Sequence, residues 1–248
     1  MKKLMNWQVG FGLLLILLSA GIYYAHFLIF RDLHHIFIYL VGDVAFVFIE
    51  VLMVTLGLHQ LLHYREKKNL LNKLNMVIGA FFSEVGTELL KAFSDLDLES
   101  ANIKGRLIIK NTWTDKDFLN VRKEFARHAP RVDAKDEHLG ELKNFLAGKR
   151  QFLLNLLENP NLLEHESFTN LLWAVFHLAE ELNYRETLNG LPEKDYGHLR
   201  GDMERVYSLL ISEWLDYVNH LKNNYPFLFS LAMRTNPFDS EASVIVKK

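Results

Sequence analysis

The sequence contains no cysteine. That excludes disulfides, thiolate metal sites and cysteine nucleophiles, and it fits a reducing compartment. A basic stripe is missing too. The net charge is −2 and the pI is near 6.6, so nucleic-acid binding has no electrostatic footprint. No GxxxxGK[ST], GxGxxG or GxSxG segment occurs, which leaves nucleotide hydrolysis and α/β-hydrolase chemistry without support. HExxH and the Glu-x-x-His pairs of di-iron bundles are absent. So are the TVGYG filter of potassium channels and the Gly-Met-Asn signature of CorA-type magnesium channels. No catalytic set is visible, and the chain is expected not to be an enzyme and to need no cofactor.

A more local absence organises the N-terminus. Between Trp7 and Phe30 there is no Asp, Glu, Lys or Arg. A helix over those residues rises roughly 35 Å, enough for a hydrocarbon layer of about 30 Å. A cleaved signal peptide fits less well, because the apolar run exceeds the usual ~7–15 residues and no A-x-A site closes it. A second apolar stretch, Ile36 to Leu58, follows after the short link Arg31 to His35. Two spans joined this way form an antiparallel hairpin. Lys2 and Lys3 flank the first span; Arg65, Lys67, Lys68 and Lys73 flank the second; the link holds only Arg31. The positive-inside rule then places both termini in the cytoplasm.

The remaining pattern is helical throughout. No turn residue separates the second span from the seam Leu71, Leu74, Ile78, Phe81 and Val85, so one helix is expected to run from Ile36 toward Phe93, with Glu88 interrupting the seam. Gly79 and Gly86 lie seven residues apart on one face, which would let another backbone approach. Residues 94–105 read as a polar loop, and Arg106 to Lys110 (RLIIK) as a short strand or buried turn. Further helices are expected from Thr114, as N-cap, to about His128; from Asp136 to Glu158; from Glu166 to Tyr184; and from Tyr196 to Asn223. A short apolar segment runs from Pro226 to Met233, and the tail SVIVKK reads as extended. The fold class is therefore all-α: a transmembrane hairpin in residues 1–63 (spans 7–30 and 36–58), a connecting amphipathic helix in 64–97, and a cytosolic helical bundle in 98–248.

Two acids interrupt the second span. Asp43 and Glu50 are seven residues apart, so at ~100° per residue they share a helix face and stand about 10 Å apart along the axis. An intramembrane carboxylate costs at least ~2.5 kcal/mol on insertion scales, so this face is expected to meet protein, water or ions rather than lipid. In a symmetric assembly the pair makes two stacked acidic rings, with Phe46 and Val47 between them as candidate constriction. The competing interpretation is structural: carboxyls hydrogen-bonding across a helix interface. In the cytosolic region, His177 with Glu180 and Glu181 offers neighbours on one helix face, but the spacing favours a salt-bridged face over a metal site, and no metal is expected. Glu164, His165 and Glu166 read as a helix start. The functional expectation is a homo-oligomeric pore in the cytoplasmic (inner) membrane, conducting cations or protons under a cytosolic regulatory domain. The alternative is a membrane-anchored interaction or sensing module without transport. Membrane lipid and a second copy of the chain are the expected partners, with no nucleic acid.

Overall fold

The computed structural model describes residues 2–126, 130–133, 136–160, 162 and 165–246. Its helices are α1 (Lys2–Phe30), α2 (Leu33–Phe81), α3 (Thr87–Leu96), α4 (Ser100–Leu107), α5 (Asp115–Phe125), α6 (Asp136–Leu157), α7 (Glu166–Tyr184), α8 (Glu193–Asn224) and α9 (Pro226–Arg234). A five-residue π-turn, Phe82–Gly86, joins α2 to α3. No β-strand occurs among the described residues, so the fold is all-α. The chain divides into two compact units, residues 1–67 and 68–248.

The first unit consists of α1 and the N-terminal part of α2. Its link is tighter than the sequence suggests: only Arg31 and Asp32 lie outside the helices. Arg31 takes a positive φ of 49°, and the Asp32 carboxylate accepts from the backbone N–H groups of His34 and His35 at 2.9 and 3.3 Å. An acceptor placed there caps the free N–H groups that begin α2. Contacts then cross between the helices: the His26 and His35 rings stack at 5.6 Å, and Tyr23 Oη donates to Asp43 Oδ2 at 3.4 Å. Both helices are long and apolar enough to cross a membrane by length and composition, over Val9–Phe30 and Leu33–Glu66.

The second unit is built around α8. Leu199, Met203, Val206, Tyr207, Leu210, Ile211, Trp214, Leu215, Val218 and Leu221 bury one long stripe at helical spacing. Against α8 pack α3, α5, α7 and α9, while α6 covers α7. The stretch expected to be a connecting helix supplies part of this core: Leu74, Ile78, Phe81, Phe82, Val85, Leu89, Leu90 and Phe93 are all buried. Glu88 does not end the seam. It is exposed, and the extra residue of the π-turn keeps Leu89 and Phe93 facing inward. Gly79 and Gly86 are approached by side chains, not by another backbone. A Cβ at Gly79 would lie 3.0 Å from Tyr217 Oη, and one at Gly86 would lie 2.6 Å from the Phe82 ring and 2.9 Å from the Phe81 ring.

Three local expectations are corrected. The polar stretch 94–105 is mostly helical: α3 reaches Leu96 and α4 occupies Ser100–Leu107. What holds it is tertiary. Asp97 makes an isolated antiparallel bridge with Val132, with Leu98 N donating to Arg131 O and Asp133 N donating to Leu96 O, both at 3.0 Å. RLIIK is not a strand; it ends α4 and leaves as coil with Leu107 and Ile109 buried. The tail through Val246 is irregular, and Lys247 and Lys248 lie outside the described residues, as does His128. The expectation for Thr114 holds: Asp117 accepts from both its backbone N–H and its hydroxyl at 2.7 Å, opening α5.

Candidate functional site

Two places gather polar chemistry. The first is the acid face of α2. Asp43, Phe46, Val47 and Glu50 all lie on this helix with exposed side chains. Asp43 receives the Tyr23 hydroxyl from α1, so the chain itself supplies one partner for one acid.

The second place is the junction of α7 and α8. These helices run antiparallel, and each carries a histidine four residues ahead of an acid: His177 and Glu181 on α7, His198 and Asp202 on α8. Residues at i and i+4 share a face, and antiparallel packing brings the two pairs together. His177 Nε2 and His198 Nε2 each lie 3.4 Å from Asp202 Oδ2, and 3.9 and 3.6 Å from the Glu181 carboxylate. Asp202 is 3% exposed. Its Oδ1 faces Arg205 Nη1 at 3.2 Å, while Oδ2 is buried and accepts no hydrogen bond.

The frame around this cluster is rigidly paired. Arg185, at the end of α7, grips Asp195 of α8 through two N–H···O bonds of 3.0 and 2.8 Å and holds Glu181 at 2.8 Å. A bidentate guanidinium–carboxylate pair fixes orientation as well as charge. Arg185 hydrogen bonding holds the Asp195 and Glu181 carboxyls below their ordinary pKa, while those carboxylates, Asp195 foremost, raise that of the guanidinium. The loop between the helices turns at Gly190, whose φ of +69° suits glycine. Asp136 on α6 accepts from Gly190 N at 3.3 Å and from the Tyr196 hydroxyl, tying the loop to a third helix. Glu180, considered with His177 in the sequence, turns away and pairs with Arg150 at 3.0 Å. His165 caps α7, its Nδ1 accepting from Phe168 N at 3.3 Å; Glu164 lies outside the described residues.

Sequence reasoning placed His177 beside Glu181 but did not join His198 and Asp202 to them. The signal was present as two His-x-x-x-acid spacings flanking one Asn-Gly-Leu-Pro loop. A cleft of about 610 Å³ elsewhere in the second unit is lined by Glu88, Asp95, Asp97, Asp133, His138 and Glu141, with Leu142 and Phe145 at its apolar wall.

Fold and site together define an all-α chain in which a pair of long apolar helices precedes a helical domain with a core of its own. The chain belongs to the MJ1433 family. One family model, described as "MJ1433, N-terminal helical domain", matches residues 2–62; another, "Uncharacterized protein MJ1433, C-terminal helical domain", matches residues 70–234. The chain is 49% identical over 240 residues to "Uncharacterized protein MJ1433" of Methanocaldococcus jannaschii, covering 97% of this chain and 96% of that protein. No solved structure matches it.

Proposed function

We propose that this protein is a membrane-anchored helical module. α1 and the N-terminal part of α2 lie in the cytoplasmic membrane with both ends inside, and residues 68–248 act in the cytoplasm by binding, without transport. One observation carries this reading. Most described apolar side chains of the first unit are turned outward, whereas the second unit buries a core of its own: Leu17 is 69% and Phe48 75% exposed, and Leu146 and Leu153 are 0%. An apolar surface that large and continuous is unstable in water and matched to hydrocarbon. The Lys and Arg residues gathered at the outer ends of the pair orient it. In a membrane preparation the chain should stay in the pellet through high salt and alkaline carbonate. Release into the supernatant by either wash would refute the anchor.

A second reading, a homo-oligomeric pore for cations or protons, draws on the shared face of Asp43 and Glu50 with Phe46 and Val47 between them in height. The Tyr23–Asp43 hydrogen bond favours the anchor over the pore, because it gives Asp43 a packing role inside one chain. Flux into liposomes containing the purified chain separates the two. The pore requires flux above empty liposomes that Asp43→Asn and Glu50→Gln reduce. The anchor predicts none at any pH or voltage.

A further inference from the structure

We propose that His177, His198 and Asp202, with Glu181 beside them, bind one divalent transition-metal ion on the α7–α8 junction. The proposal goes beyond the membrane reading and does not depend on it.

The distances carry the first part of the argument. Ligand atoms of the three residues all lie within 4.8 Å of one another. In a tetrahedral site with metal–ligand bonds of about 2.0–2.1 Å, neighbouring ligand atoms stand about 3.3–3.4 Å apart. Both imidazole Nε2 atoms lie 3.4 Å from Asp202 Oδ2, the edge length of such a tetrahedron. Direct hydrogen bonds between these atoms would be shorter, and Oδ2 makes none.

The second part is the cost of leaving that oxygen as it stands. A buried carboxylate oxygen without a hydrogen bond is destabilising, because its desolvation is not offset by a partner. Arg205 holds Oδ1, so Asp202 is oriented with Oδ2 aimed at the two rings. Carboxylates that ligate a metal are commonly held in place by an outer partner in this way. Both rings are about half exposed, at 47% and 51%, so an ion can enter and the imidazoles can turn to close on it. Glu181 is the nearest further carboxylate; taking it as a fourth ligand requires sharing it with Arg185. Two imidazoles and a carboxylate suit zinc, iron, cobalt or nickel, whereas magnesium and calcium prefer all-oxygen sites.

The competing account is two imidazolium–carboxylate ion pairs with no metal. The test uses the full-length chain in mild detergent, freed of any affinity tag and stripped with chelator. Zn²⁺ is titrated against a chromophoric chelator, and Co²⁺ is added separately for its visible absorption. Wild type should bind one equivalent of Zn²⁺ per chain and give the intense Co²⁺ bands of a four- or five-coordinate site. Losing both imidazoles in His177→Ala/His198→Ala should weaken binding by at least about 100-fold and abolish those bands. Asp202→Asn, nearly isosteric, should also abolish them while keeping the wild-type helical circular dichroism; His138→Ala, on another helix, should change neither. The proposal is overturned if wild type binds less than one equivalent, if its Co²⁺ spectrum matches the free ion, or if the double variant binds as wild type does.

Discussion

Where the C-terminal domain begins decides whether it folds. The sequence places the start at residue 98, after a connecting helix; the structure places the division between Lys67 and Lys68. A piece beginning at Leu98 loses eight buried apolar side chains: Leu74, Ile78, Phe81, Phe82, Val85, Leu89, Leu90 and Phe93. At roughly 1.5–3 kcal/mol for each buried large side chain, that removes about 12–24 kcal/mol. The whole stability of a domain is only about 5–15 kcal/mol. The loss also strips aromatic partners from what remains: Phe168 loses Phe81 at 5.3 Å, Tyr217 loses the stacked Phe82 ring at 5.3 Å, and Tyr207 loses Phe93 at 5.9 Å. Residues 68–248 expressed alone should be monomeric, strongly helical and cooperative in thermal unfolding. Residues 98–248 should bind a hydrophobic dye, aggregate on gel filtration and show no cooperative transition. A soluble 98–248 piece that melts cooperatively within a few degrees of the longer one would refute the reasoning.

Two glycines should respond with opposite sign to the same change. Gly86→Ala drives a methyl into the Phe82 and Phe81 rings, which are themselves locked against Tyr217 and Phe168; overpacking of about 2–3 kcal/mol less about 1 kcal/mol of helix propensity leaves a net loss of roughly 1–2 kcal/mol. Gly148→Ala, exposed in the middle of α6 with open space around it, should gain up to about 1 kcal/mol; thermal midpoints of the full chain in detergent check both. Burial raises the carboxyl pKa of Glu213, so folding takes up a proton there, and the stability this lends at low pH is lost as pH rises through the folded pKa. Glu213→Gln should therefore gain stability relative to wild type as pH goes from 5 to 8. An unchanged difference in midpoint across that range would contradict the burial argument.

Much of the helical layout was legible because its boundaries are written locally. Residues 166–184 read as a helix and are one, since His165 caps the start and the Asn-Gly-Leu-Pro loop stops the next turn. Thr114 as the N-cap of α5 was equally plain. What escaped depends on distant partners. α4 is short and polar, and its last carbonyl is held by Asn236, 129 residues away, whose Nδ2 donates to Leu107 O at 2.8 Å. The π-turn shifts the apolar register by one residue, which made Glu88 look like the end of a seam. The His177–Asp202 cluster needs the antiparallel fit of two helices, whereas Asp43 and Glu50 announced themselves by standing in an apolar run.

The topology is the claim on which the account rests, and the lack of native cysteine lets it be measured without background. Single variants Asp32→Cys, in the link of the helix pair, and Lys248→Cys, at the C-terminus, are exposed in intact cells to a membrane-impermeant thiol reagent. The account predicts that Asp32→Cys is labelled from outside and that Lys248→Cys is labelled only after lysis. Labelling of Lys248→Cys in intact cells, or protection of Asp32→Cys until lysis, would contradict it.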